Sequence, residues 1–184
     1  MQYRREVFVE QVPLVDKFVK HLIHHRALHP WIATTKLTTS FWSDTSDAHL
    51  FQAIINWCKV FGSDTSNETH WKALSPKDVK TLRETFRKDL FAATSMTAAE
   101  WDAYQKEVIL FRNGYAAHRN LGHSQPVPVL DRALQVALHY DTWIRKVIAP
   151  DQWDELRLSK IVEDLRETVE AEVRMVMLPY AKSA

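Results

Sequence analysis

A chain of 184 residues is long enough to bury a sizeable core, and it fits a single domain, 1–184, better than two. Its 24 basic and 23 acidic side chains leave a net charge of +1, which excludes a polycation that coats nucleic acid while leaving room for a local basic patch. Only three glycines, with 46% hydrophobic residues interspersed among charged ones, argue against a turn-rich β protein and for an all-α one. The single Cys58 cannot form an intrachain disulfide, and the opening MQYRREVFVEQ is charged where a secretory leader would be apolar. No apolar run approaches the roughly 18 residues that a bilayer span requires, so the expectation is a cytoplasmic protein without a membrane partner.

From Pro13, the residues Val15, Phe18, Val19, Leu22 and Ile23 recur at spacings of three and four and predict a first helix running to about His29, where Pro30 stops it. The residues before Pro13 leave room for an extension across a kink. WIATTKLTTSFWSDTSD, rich in Ser and Thr, reads as a loop or a slow helix start. A second helix follows through Leu50, Phe51, Ile54, Ile55, Cys58 and Phe61, and Gly62 ends it. Ser75 and Pro76 have the order of an N-cap and a first helical residue, opening a third helix with the stripe Val79, Leu82, Phe86 and Leu90. Thr97 and Glu100 form a capping box for a fourth, whose stripe runs Trp101, Tyr104, Val108, Phe111, Tyr115 and then His118. A fifth helix extends from Leu130 through Ile148 to Pro150, and a sixth carries Leu158, Ile161, Val162, Leu165, Val169, Val173 and Val176. Short connections between six helices predict an up-and-down bundle.

The end of the fourth helix, FRNGYAAHRN, holds two arginines, an asparagine and a histidine without an acidic residue. One reading is a helix end with basic side chains near its C-terminal dipole, His118 merely completing the core face. The other is chemical: Arg112 supplies a fixed cation and His118 a titratable acid/base, the two parts that metal-free phosphodiester cleavage requires. On a straight α-helix, six residues separate these side chains by about 120° around the axis and about 9 Å along it. Convergence on one phosphate therefore needs a distortion at Gly114 or a second copy of the helix packed across a two-fold axis.

FRNGYAAHRN resembles the Arg-x(4 to 6)-His signature of the HEPN superfamily, with Asn113 at the polar position after the arginine. A second stretch, NWCKVFGSDTSNETHWKAL, resembles the AbiU-like abortive-infection branch through Trp57, the Lys59-x-Phe61 helix end and the pair His70-Trp71. The resemblance implies an all-helical, HEPN-like domain that forms a homodimer and acts as a metal-independent endoribonuclease of a toxin–antitoxin or antiviral defence system. It further implies RNA as substrate, an antitoxin protein as a possible partner and no cofactor. Arg112 and His118 would be catalytic, and Asn113 would orient the histidine or the phosphate. Tyr115 would line the cleft or pack in the core or dimer, and Arg119 would contact phosphate or cap the helix. An inactive module that binds a nucleotide or a protein partner through the same cleft is the alternative. A second Arg-x(4 to 6)-His match, Arg132 to His139, lies in ordinary amphipathic sequence and has Ala133 at the polar position.

His21, His25 and His29 lie at successive i+4 positions, a spacing that can hold a transition metal, although no carboxylate or cysteine accompanies them. His25 and His29 also extend the Phe18–Leu22 stripe, which favours packing or an interface, and we assign no metal. Trp57, Trp101 and Trp143, at helical positions, read as core, and His70 with Trp71 as a loop anchor. The segment from Gly62 to Asn67 reads as a polar turn and not as a phosphate cradle, because it contains one glycine.

Overall fold

The computed structural model describes residues 3–35, 40–118, 120–122, 124–148 and 155–181. Among them are six α-helices and no strand: α1 (Arg5–Thr34), α2 (Phe41–Phe61), α3 (Val79–Thr94), α4 (Ala98–Phe111), α5 (Asp131–Val147) and α6 (Leu158–Ala181). Two short 3-10 turns, Trp71–Leu74 and Pro76–Asp78, connect α2 to α3, and a π-helical turn, Arg112–Ala116, prolongs α4.

The all-α class and the six helices match the sequence reading, but two boundaries differ, and a third, left open between a loop and a slow helix start, falls at Phe41. Pro30 does not stop α1, which passes through both Pro13 and Pro30 as far as Thr34. Both prolines face solvent, so the carbonyls they leave unpaired remain accessible to water. An interior proline costs about 3 kcal/mol. Burial of Val15, Phe18, Val19, Leu22, Ile23 and Leu28, at about 1.5–3 kcal/mol for each fully buried side chain, outweighs it. The helix α2 begins at Phe41, inside the Ser/Thr-rich stretch, where hydroxyls are accommodated on preceding carbonyls: Ser43 Oγ donates to the Ser40 carbonyl at 2.8 Å and Thr45 Oγ1 to the Phe41 carbonyl at 2.7 Å. Ser75 does not cap α3 directly. Its Oγ donates to Asp78 Oδ2 at 3.1 Å across the 3-10 turn, and the α-helix opens at Val79.

The pairs His21–His49 and His25–Ser46 show that α1 and α2 run antiparallel, one position rising as the other falls. Helix α1 lies along α2 and also packs on α6, while α3 lies on α5. The centre is aromatic. Trp57, Trp101 and Trp143 are buried as expected, with Trp57 Nε1 donating to the Ala133 carbonyl at 3.2 Å. Trp71 stacks on Phe86 at 4.2 Å, and Gln11 Nε2 donates to the His70 carbonyl at 2.9 Å, so the His70-Trp71 pair does anchor the connection to the core. This anchoring fixes the path of residues 62–69 in front of the end of α4.

Candidate functional site

The start of α4 is set locally. The Thr97 amide donates to Glu100 Oε2 at 2.8 Å, and the Glu100 amide donates to Thr97 Oγ1 at 3.2 Å. Trp101, Tyr104, Val108 and Phe111 then bury one face. Past Phe111 the hydrogen-bond ladder changes step: the Ala117 amide donates to the Arg112 carbonyl, five residues back, at 2.8 Å, and the Asn120 amide closes onto the Gly114 carbonyl at 3.0 Å. This π-turn packs on α2, with Gly114 buried and Tyr115 set edge-on against Phe51 at 5.5 Å. The distortion falls at Gly114, the position where the sequence allowed one. Turns of this type are frequent at functional sites because they redirect side chains within a helix.

The turn divides its residues between two recesses. Arg112 is half-buried and lines a polar recess of about 470 Å³ together with Cys58 and Lys59 of α2 and the loop residues Ser63, Thr65 and Ser66. Tyr115 and Phe111 line a second recess of about 370 Å³ with Leu50, Phe51, Pro126 and Val127, so Tyr115 packs and forms a wall at once. Asn113 and His118 are exposed, and Arg119 lies outside the described residues. His118 is not part of the wall that contains Arg112, so one copy of the polar recess presents the guanidinium without the imidazole.

Arg112 Nε is buried without a hydrogen-bond partner. A polar group left in that condition costs about 1–3 kcal/mol, and a charged one more, so its retention calls for an explanation. Beside it, burial pushes the Cys58 thiol up to about 12, against the pull of the Arg112 charge and of a hydrogen bond from Arg112. Cys58 is therefore a neutral, buried neighbour of the guanidinium. The facing loop is held from several sides. Thr69 Oγ1 donates to the Lys59 carbonyl at 2.9 Å, Asn67 Nδ2 to the Ser63 carbonyl at 3.0 Å, and Gln105 Nε2 to the Gly62 carbonyl at 3.0 Å. Lys72 pairs with Asp64 at 2.6 Å, and Ser66 adopts a left-handed conformation with φ 53°.

The histidines of α1 do not converge as their spacing suggested. His21 Nδ1 meets Nδ1 of His49 on α2 at 2.9 Å, whereas His25 Nδ1 lies 2.9 Å from Ser46 Oγ and 3.1 Å from the Ser46 carbonyl. His24 stacks on His49 at 4.8 Å, and His29 sits 5.3 Å from His25. Burial lowers the pKa of His21 and His25 and lowers that of His49 to about 4, with the neighbouring histidines adding to the His49 shift. Two features escaped the sequence reading: His49, a lone histidine in an acidic stretch, and the Gly62–Thr69 loop as a wall opposite Arg112. In the sequence, the NWCKVFG...HW stretch is the one signal that points to that loop.

With this geometry in hand, comparison of the chain with family models, with curated proteins and with solved structures gives no match.

Proposed function

We propose that this protein is a HEPN-type, metal-independent endoribonuclease of a toxin or phage-defence system, cleaving RNA at a site composed from two copies of the chain in the cytoplasm. The observation that carries this reading is the π-turn, which sets Arg112, its buried Nε without a partner, against a polar recess and is followed, after Ala117, by the exposed His118. In the reaction, His118 in its neutral form removes the proton of the ribose 2′-hydroxyl, whose oxygen attacks the adjacent phosphorus. Arg112 holds the phosphate through paired N–H groups while negative charge grows on its oxygens, a task that suits guanidinium better than ammonium. The bond from phosphorus to the 5′-oxygen breaks, and the charged His118 of the second copy protonates the leaving oxygen. The products are a 2′,3′-cyclic phosphate and a free 5′-hydroxyl. Asn113, exposed on the turn, orients the imidazole or the phosphate, and Arg119 adds a phosphate contact. An antitoxin protein that covers the cleft fits the same reading.

The separation of Arg112 and His118 in a single copy of the recess favours one competing interpretation, a catalytically silent HEPN-like module that binds a nucleotide or a protein partner. The deciding experiment incubates the purified protein with RNA in the presence of chelator. Cleavage that persists there and disappears in Arg112→Ala and His118→Ala supports the nuclease. Intact RNA with the wild type supports the silent module. Growth arrest of a bacterium expressing the wild type but not His118→Ala is the corresponding cellular result.

A further inference from the structure

We infer that the polar recess between the Gly62–Thr69 loop and the π-turn is a phosphate-binding subsite, in which Lys59 and the hydroxyls of Ser63, Thr65 and Ser66 act with Arg112 on one phosphate group. This revises the reading of Gly62–Asn67 as a turn that cradles no phosphate, since its side chains and not glycine-exposed amides are the donors. The inference deepens the nuclease reading and rests on it for the identity of the phosphate as part of an RNA strand. The binding chemistry itself stands on separate observations.

First, the donors face one space. Arg112 and Lys59 bring two positive charges to the recess, and neither forms an ion pair among the described residues. Second, Arg112 Nε is buried and lacks an acceptor, so the protein leaves the guanidinium incompletely paired, and an anion in the recess that the Arg112 side chain lines offsets its charge. Third, the loop hydrogen bonds divide the residues into two sets. Asn67 and Thr69 spend their side chains on the Ser63 and Lys59 carbonyls and shape the loop. Ser63 Oγ accepts from the Thr65 amide at 3.3 Å, which leaves its O–H to donate, and the hydroxyls of Thr65 and Ser66 make no hydrogen bond among the described residues. A charged fork, an ammonium and a row of hydroxyl donors is the donor set that phosphate oxygens accept from. The recess, at about 470 Å³, falls within the range of small-ligand sites. One carboxylate, Glu68, also lines it and opposes the anion, which supplies a control of opposite sign.

Binding is measured by fluorescence anisotropy with a short labelled RNA carrying 2′-O-methyl riboses, which cannot be cleaved, and by calorimetry with inorganic phosphate. Lys59→Ala and the double variant Thr65→Ala/Ser66→Ala weaken binding of the RNA about five- to tenfold each, the loss expected for one charge-assisted contact. Glu68→Gln tightens it. Arg112→Lys, which keeps the charge and loses the fork, weakens it as well. Inorganic phosphate that competes with the RNA identifies the strand's backbone as the ligand; phosphate that binds without RNA competition retains the subsite and assigns it to a free phosphate or nucleotide. Wild-type affinity in both Lys59→Ala and the hydroxyl double variant, with helical content unchanged by circular dichroism, overturns the inference. Its failure is separable from that of the nuclease reading. RNA cleavage that needs Arg112 and His118 but ignores Lys59 and the hydroxyls removes the subsite alone, whereas Lys59-dependent binding without cleavage removes the nuclease alone.

Discussion

Two arginine–histidine pairs of similar spacing occur in this chain, and the fold treats them in opposite ways. His139, seven residues after Arg132, is buried in the middle of α5, where its Nε2 lies 3.1 Å from the Phe86 carbonyl and its ring packs on Phe86 at 5.0 Å. Arg132 sits over the Tyr104 ring at 6.0 Å. That histidine's hydrogen bond and ring contact both serve the junction of α3 and α5. Arg112 and His118 instead straddle the place where α4 stops being an α-helix, one side chain with a buried N–H that has no acceptor and the other in solvent. Spacing alone does not separate the two pairs. The backbone between them does: a regular helix consumes its histidine in packing, whereas a π-turn leaves chemistry unspent.

The largest expected effect tests that contrast directly. Under the proposed nuclease reading, Arg112→Ala and His118→Ala each reduce RNA cleavage by about 10²–10³-fold, with melting temperatures close to wild type for His118→Ala because that side chain is exposed. Equal loss of cleavage in His139→Ala below its melting temperature would erase the distinction. His139→Ala instead destabilises the fold by about 1–3 kcal/mol through a lost buried hydrogen bond and lost packing, read as a fall in Tm of several degrees by calorimetry. A third variant disturbs the Arg112 side without altering either pair. A Cβ at Gly62 would lie 2.5 Å from the Cys58 carbonyl oxygen and 3.1 Å from Cys58 Cα, both backbone atoms, so Gly62→Ala forces the end of α2 to shift. The expected cost is about 1–3 kcal/mol by denaturant unfolding, accompanied by weaker RNA binding. Unchanged binding in that variant would mean that the loop and Arg112 act independently.

The smallest effect concerns acid. Burial lowers both His49 and His70 to about 4, compared with about 6.5 for an unfolded histidine. Between these values the unfolded chain takes up protons that the native one refuses, so stability is fully present above about pH 6.5 and declines as pH falls toward about 4. His49→Gln flattens that decline in a series of thermal melts, because the His21–His49 contact needs one unprotonated nitrogen. A pH dependence identical to wild type would show that the α1–α2 histidines are solvated in practice.

Much of this architecture was legible, and the reasons are local. The Thr97–Glu100 box, the glycine after Phe61 and the buried tryptophans each follow from a few neighbouring residues. Pro30 misled because the breaking rule ignores which side of the helix the ring faces, and the Ser/Thr stretch left loop and helix start open because hydroxyls that bond preceding carbonyls suit either. The site was half visible. Arg112 and His118 could be singled out by type and order, and a distortion at Gly114 could be named as an option. The i→i+5 turn itself depends on how Gly114 and Tyr115 seat against α2, and the recess depends on residues 62–69 returning to face residue 112. Contacts between segments some fifty positions apart leave no periodicity to read. The His21–His49 pairing is hidden for the same reason.

The only sulfhydryl in the chain lies beside the guanidinium of Arg112, buried and held in its protonated form. Thiol-specific reagents attack the thiolate, so they reach it only when α2 and the turn part and water enters. The protein thus carries its own opening clock. The rate at which a disulfide reagent colours the solution counts excursions of the very contact that shapes the recess, and any occupant bridging its two walls slows that rate without a label having been attached.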